Sequence, residues 1–331
     1  MLKEAGFYKT PVGQIVQCEL CPHNCVLKPE QTGICRVRRN ETGKLYTLNY
    51  AKTSALALDP MEKKPLYHFH PGKNILSVGT FGCNLSCSFC QNHNIAHAIN
   101  SGHTILPEEL VRISHQAANQ NSVGVAFTYN EPVIWFEYVR ETAEMLKEAN
   151  MKVVLVSNGF IELKPLQELL PFIDAINIDL KAFNETFYRR NCQAKLEPVK
   201  QVIEKAVGQV HVEITTLIIP GENNTEAEIS KQASWLASLN PDLPLHLSRY
   251  FPAYKFTKEA TPVKTMKIAY ETAREYLEFV YLGNLQQVKN DTYCKSCGAV
   301  LVKRDAYQIK IGALGVNRCK NCGADIDYIV S

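Results

Sequence analysis

Between about residues 74 and 285, short β-branched or apolar runs alternate with longer stretches in which apolar residues return every three or four positions. The short runs predict strands at 74–80, 122–129, 152–158, 175–180, 210–219, 243–249 and 279–284. Between them, PEELVRISHQAANQ, EPVIWFEYVRETAEMLKEAN, KPLQELLPFI, EPVKQVIEKAV, TEAEISKQASWLASL and VKTMKIAYETAREYLE carry the helical period. This alternation predicts an α/β fold with a parallel sheet, either open and doubly wound or curled into a full or partial barrel. Such folds place their chemistry at the C-terminal ends of strands. Polar residues interrupt the apolar runs at those points: a three-cysteine loop after the first strand, TYNEP after the second, SNG after the third and DLK after the fourth. HLSR lies in the sixth.

The flanks read differently. A polar, cysteine-bearing segment over 1–72, ending in DPMEKKPLYHFHPG, precedes the alternating region, and a second one fills 289–331, which leaves 73–288 as the central domain. Both flanks are short for a self-supporting apolar core, the situation in which a bound metal contributes most to folding. With 331 residues, 46% of them hydrophobic, the composition is that of a soluble globular protein. A net charge of +3 gives no support to nucleic acid or an anionic membrane as partner. MLKEAGFYKTPVGQ has no signal-peptide core, and no apolar run is long enough to cross a bilayer, so a cytoplasmic location is expected.

Twelve cysteines change the picture, because eleven of them fall into three tight clusters. In a chain without an export signal this favours metal over disulfides. Cys294, Cys297, Cys319 and Cys322 form two CxxC knuckles, each followed by glycine, and four thiolates complete the tetrahedral shell of a structural zinc ribbon. Cys18, Cys21, Cys25 and Cys35 are suited to zinc or to an iron–sulfur cluster, with His23 available as a substitute ligand. Cys192 stands alone and reads as packing. Cys83, Cys87 and Cys90 are only three. A [4Fe–4S] cluster takes one protein ligand per iron, so three thiolates leave one iron open to a small chelating molecule.

CxxxCxFC after the first strand resembles the signature of radical S-adenosylmethionine (SAM) enzymes. CELCPHNCVL, LDPMEKKPLYHFHPG, GTFGCNLSCSFCQN, TYNEP, DLKAFNETFYR, LSRYFPAY and VYLGN, in that order, resemble the radical SAM member of the AmmeMemoRadiSam group, relatives of pyruvate formate-lyase activating enzymes. The resemblance implies a partial (β/α)6 barrel in which Cys83, Cys87 and Cys90 hold the cluster and SAM chelates its fourth iron. It implies that Phe89 packs near the adenine and that Asn130 and Glu131 stand where the family's Gly-Gly-Glu-Pro element binds the methionine amino group. Here Tyr129-Asn130 replaces the two glycines. Ser157 and Asn158 close the third strand, Asp179 and Lys181 match an Asp-x-Lys element near the SAM carboxylate, and His246 is similar in placement to a pocket-lining histidine.

The activity implied is that of an oxidoreductase: one-electron cleavage of SAM to methionine and a 5′-deoxyadenosyl radical, which takes hydrogen from a substrate. A reductant such as flavodoxin or ferredoxin is the implied partner. The substrate is either a small molecule or Memo-like partner's product, or a glycyl-radical enzyme. A non-enzymatic iron–sulfur and zinc module is the alternative from another class, and the βα motif set argues against it. Glu131-Pro132 also suits a plain helix start. Asp179-Leu-Lys suits an ordinary strand exit, and His246, His68, His70, His93 and His97 suit structural roles.

Overall fold

The structure, a computed structural model, describes residues 2–98, 102–286 and 288–331. All seven expected strands form, as Asn74–Gly79, Ser122–Phe127, Lys152–Ser157, Ala175–Asp179, His211–Ile218, Leu245–Arg249 and Val280–Gly283. Each pairs in parallel with the next in chain order, and the sheet does not close on itself. Six crossover helices connect them: Pro107–Ala118, Phe136–Glu148, Leu163–Leu169, Leu196–Ala206, Glu226–Leu239 and Val263–Arg274. The result is six βα units and a closing strand, the partial barrel expected.

Alternate residues of each strand serve two environments, so the strands read as nearly unbroken apolar runs. Val153, Leu155, Ile176, Ile178 and Ile214 belong to the core shared with the helices. Ile75, Ala126, Val154 and Ala175 face the other way, onto Met61, Leu66 and Phe69. Those three come from the connector 61–73, which enters the first parallel strand at its N-terminal end and so plugs the inner face there.

Part of the segment 1–72 joins the main sheet. Ala55–Pro60 is an eighth strand of the main sheet, antiparallel to Asn74–Gly79 with Pro60 opposite Asn74. The accessory segment proper is the two small antiparallel sheets before it, built from Lys3–Glu4, Lys44–Thr47 and Arg38–Glu41, and from Tyr8–Val12, Ile15–Cys18 and Val26–Leu27. Arg38, buried, pairs with Glu137 of the second crossover helix, and Trp135 donates to the Asn49 carbonyl at 2.7 Å, so this segment is docked on the barrel.

The C-terminal segment is docked too. Leu301, Val302, Leu314, Ile326 and Ile329 share a core with Phe279 and Tyr281 at the last barrel strand. Val330 forms a parallel bridge with Phe69, and the buried Arg304 reaches the Thr292 hydroxyl at 2.7 Å and the Tyr67 carbonyl at 2.5 Å.

Candidate functional site

Four of the expected loops meet at the C-terminal ends of the strands. Gly79 ends the first strand, and Thr80 to Cys90 turn back over the sheet. The amide of Thr80 donates to Asn130 Oδ1 at 3.1 Å, and Asn130 Nδ2 donates to the Gly82 carbonyl at 2.8 Å. Asn130 thereby ties the cysteine loop to the exit of the second strand. It follows Tyr129, which adopts φ +71, a conformation that glycine reaches at lower cost. The Tyr129 hydroxyl is anchored on Asp59 at 2.7 Å, which holds this strained residue in place.

The next residue, Glu131, is buried and accepts three hydrogen bonds: Ser157 Oγ at 2.8 Å and the amides of Val133 at 3.0 Å and Asn158 at 2.7 Å. Burial pushes its carboxyl up to about 7 against the pull of those bonds. Asn158 Nδ2 lies 2.9 Å from Asn84 Oδ1 and 3.8 Å from Cys83 Sγ, and the Leu85 amide is 3.4 Å from the same sulfur. Ser157, Asn158, Asn130 and Glu131 therefore form one connected set with the cysteine loop. Asp179 and Lys181 pair at 2.6 Å. Burial works against the Lys181 ammonium, yet Asp179 and the nearby Cys87 keep its pKa above the ordinary lysine value.

Two of the expected residues have protein partners of their own. Phe89 is buried between Phe187 and Phe256, with ring centroids 5.6 and 5.8 Å away. His246 is buried with Nε2 2.6 Å from Glu213 Oε2, and Glu213 also accepts from the Tyr67 and His68 amides of the plug. The His246 ring packs on Tyr67 of the plug at a centroid distance of 4.7 Å, while its backbone lies level with Thr215 and, through it, Asp179.

Cys192, read as packing, does lie in the buried core, and its turn also borders the cysteine loop, which the sequence did not indicate. It is buried where its turn meets the residues on either side of Cys87, and its proximity holds the Cys87 thiol below the usual cysteine value. The turn that carries it, Tyr188–Cys192, is π-helical, and its carbonyls at Cys192 and Asn191 receive the amides of Ser86 at 3.0 Å and Ser88 at 2.9 Å. π-turns of this kind concentrate at functional sites. Nothing in local spacing points to a contact across about a hundred residues.

The three cysteine clusters differ in width. In the C-terminal one the sulfurs of Cys294, Cys297, Cys319 and Cys322 all lie within 4.8 Å of one another, with Cys294–Cys322 and Cys297–Cys319 both 3.8 Å apart. A tetrahedron with bonds of ~2.3 Å has edges of ~3.8 Å, so these residues fit a single zinc-sized ion. Gly298 and Gly323, at φ +71 and +77, return amides to the carbonyls of Cys294 and Cys319. Among the described residues this is the only set of three or more that close together, and no three sulfurs elsewhere meet the same limit. Cys83, Cys87 and Cys90 are thus set wider than one ion needs, on a loop where the Leu85 amide and Asn158 point at the Cys83 sulfur, a setting compatible with a multi-iron cluster.

The Radical SAM superfamily model matches residues 77–233, which contain this constellation. An uncharacterized protein of Methanocaldococcus jannaschii is 37% identical over 340 residues, covering 99% of this chain and 100% of its own length. A second protein of that organism, named a putative glycyl-radical enzyme activating enzyme, is 28% identical over 180 residues, 53% of this chain and 67% of its own. The crystal structure of Streptococcus suis SuiB bound to S-adenosylmethionine has a TM-score of 0.53 at 13% identity, over 64% of this chain and 52% of that one, a likeness of fold. None of the helices described is long and apolar enough to cross a membrane.

Proposed function

Because the chain belongs to the radical SAM superfamily, we propose that it uses a [4Fe–4S] cluster on Cys83, Cys87 and Cys90 to cleave SAM and deliver a hydrogen-abstracting radical to a substrate. The observation that carries this reading is the single hydrogen-bonded set joining the cysteine loop to Asn130, Glu131, Ser157 and Asn158. When bound, the cluster supplies the electron that splits SAM into methionine and a 5′-deoxyadenosyl radical.

The chain's own residues orient and shield. A carboxylate offers about four lone-pair sites. Glu131 has filled three, which leaves one on Oε2 for the methionine ammonium of SAM. Asn130 fixes the backbone at Gly82, immediately before Cys83, and Asp179 with Lys181 supplies a charge pair for the carboxylate side of the ligand. Phe89, with Phe187 and Phe256, makes an apolar wall that keeps water from the reacting region. The C-terminal thiolates hold zinc as scaffold, with no open coordination position.

The relationship to an activating enzyme supports a second reading of the substrate, a glycyl-radical protein, beside an AmmeMemoRadiSam-type reaction on a Memo-like partner or its product. A flavodoxin- or ferredoxin-type donor serves either one. The test is anaerobic reconstitution and reduction with SAM, followed by measurement of 5′-deoxyadenosine and methionine. Both should form together, and Cys87→Ala should abolish both; cleavage by that variant at the parent rate overturns the proposal.

A further inference from the structure

The N-terminal cysteines are brought together with no role in the SAM site. Cys18, Cys21 and Cys35 are buried, Cys25 is half-buried, and all four line one small cavity with His23 and Arg38. The backbone builds that convergence. The Cys18 amide donates to the Cys25 carbonyl at 2.9 Å, and a turn held by the Arg36 amide on the Gly33 carbonyl at 2.9 Å presents Cys35. Gly33 lies against Cys25, where an added Cβ would sit 3.6 Å from its sulfur.

The cavity is wrong for one ion. Zinc needs sulfur–sulfur edges of ~3.8 Å, which the C-terminal cysteines provide. Among the described residues, no three of the N-terminal sulfurs lie within 4.8 Å of one another. They share this wider setting with Cys83, Cys87 and Cys90. His23 is engaged elsewhere, its Nε2 2.7 Å from the Asn84 carbonyl, so four sulfurs remain as the ligand set. Arg38 adds an independent pointer. Its side chain is 1% exposed and lines the cavity, its terminal nitrogens are taken by the Gly6 carbonyl and Glu137, and its Nε has no hydrogen-bond partner among the described residues. A buried cation with a free donor matches the net negative charge of four thiolates on an iron–sulfur core.

We propose that Cys18, Cys21, Cys25 and Cys35 hold a second [4Fe–4S] cluster, ligated by protein at every iron, which relays electrons to the cluster on Cys83, Cys87 and Cys90. Full ligation leaves no iron for a substrate, so electron transfer is the chemistry available. The two cysteine loops touch. An added Cβ on Gly82 would lie 2.7 Å from the Cys35 carbonyl oxygen, and His23 bonds the backbone of Asn84, so the loop 82–84 is gripped on both sides of Cys83. The relay takes one electron from a low-potential one-electron donor and gives one to the SAM-site cluster, returning each time to its oxidised state. This relay role rests on the function proposed above; the cluster itself does not.

The full chain with Cys83, Cys87 and Cys90 all changed to alanine, reconstituted anaerobically, decides the cluster. It should keep about four irons and four sulfides, with a reduced-state EPR signal that SAM leaves unchanged. The converse Cys18→Ser/Cys21→Ser protein should keep one cluster, whose signal shifts on adding SAM. Zinc in place of iron, or no metal, in the triple variant overturns the proposal even if the double variant fails to fold. For the relay, the double variant should lose most SAM cleavage driven by reduced flavodoxin and retain cleavage driven by dithionite, which reaches the SAM-site cluster without a docking route. Equal loss with both reductants, or with neither, overturns the relay. Absence of SAM cleavage in the unmodified protein would instead sink the proposed function and leave the iron count standing.

Discussion

Glu213→Gln tests the account of the plugged end. The carboxylate is fully buried and accepts four bonds: on Oε1 from the His68 amide at 2.7 Å and His211 at 2.9 Å, on Oε2 from the Tyr67 amide at 2.9 Å and His246 at 2.6 Å. Glutamine keeps the shape but replaces one oxygen by NH2, which confronts a backbone amide and an imidazole. Hydrogen bonds to a charged group contribute roughly 1.5–3 kcal/mol each, so losing two costs roughly 3–6 kcal/mol. A tautomer change lets the imidazole accept from the new NH2, which returns about one bond and sets a floor near ~2 kcal/mol. Against a total of roughly 5–15 kcal/mol this is a large fraction. Urea unfolding followed by tryptophan fluorescence, at equal metal content, should show the midpoint falling with the slope unchanged. Exposed Glu226→Gln is the control, expected within ~0.5 kcal/mol of the parent. Burial alone would raise the Glu213 pKa, but His211 and His246 hold it well below the ordinary value. Its contribution is therefore present above the unfolded-state pKa of about 4.3 and lost as pH falls below it, a pH dependence that the glutamine protein should lack. A loss under about 1 kcal/mol at unchanged slope would refute the reasoning, since that is less than a single hydrogen bond to a charged group contributes.

Glu131→Gln should weaken SAM binding by the value of one charge-assisted bond, roughly 1.5–3 kcal/mol or about 10- to 150-fold. Titration of the reduced cluster signal with SAM measures it, and unchanged affinity at full iron content removes Glu131 from the ligand site. Gly82→Ala places a Cβ 2.7 Å from both the Cys35 carbonyl and Val37 Cγ1 at φ +87, so it should destabilise by roughly 1–3 kcal/mol and lower cluster retention. A melting curve and iron count equal to the parent's would contradict that packing. Cys297→Ser should release the ribbon metal and speed protease cleavage after residue 289 while leaving iron at the SAM-site cysteines unchanged. Metal analysis and limited proteolysis read both, and an unchanged zinc content speaks against the four-thiolate site.

The parallel strands were legible because burial on both faces leaves apolar runs too long to miss. Ala55–Pro60 was not, since it is an edge strand with Leu56 and Ala57 exposed, ending in proline, and reads like a connector. The loops at the strand ends were legible from polar residues placed where apolar ones stop. What joins them was not: the turn of Cys192 on the cysteine loop, and His246 on Glu213, are contacts fixed by depth and by the path of the chain. The N-terminal cysteines could be grouped by spacing, but whether three of their sulfurs come within 4.8 Å of one another is set by the fold and not by the spacing.

The bridge from the ribbon back to the plug has a kinetic side. His68 Nδ1 meets the Tyr328 carbonyl across 260 residues of sequence, beside the pairing of Phe69 with Val330. Until residues near 328 have been synthesised, the connector 61–73 lacks its outer cover, and the pairing that holds it must close a very long loop. Contacts of such separation form late and slow folding. The nascent barrel is thus exposed to chaperones and to aggregation for most of its synthesis, and heterologous expression should improve more from slowed translation or added chaperone than from changes at the SAM site.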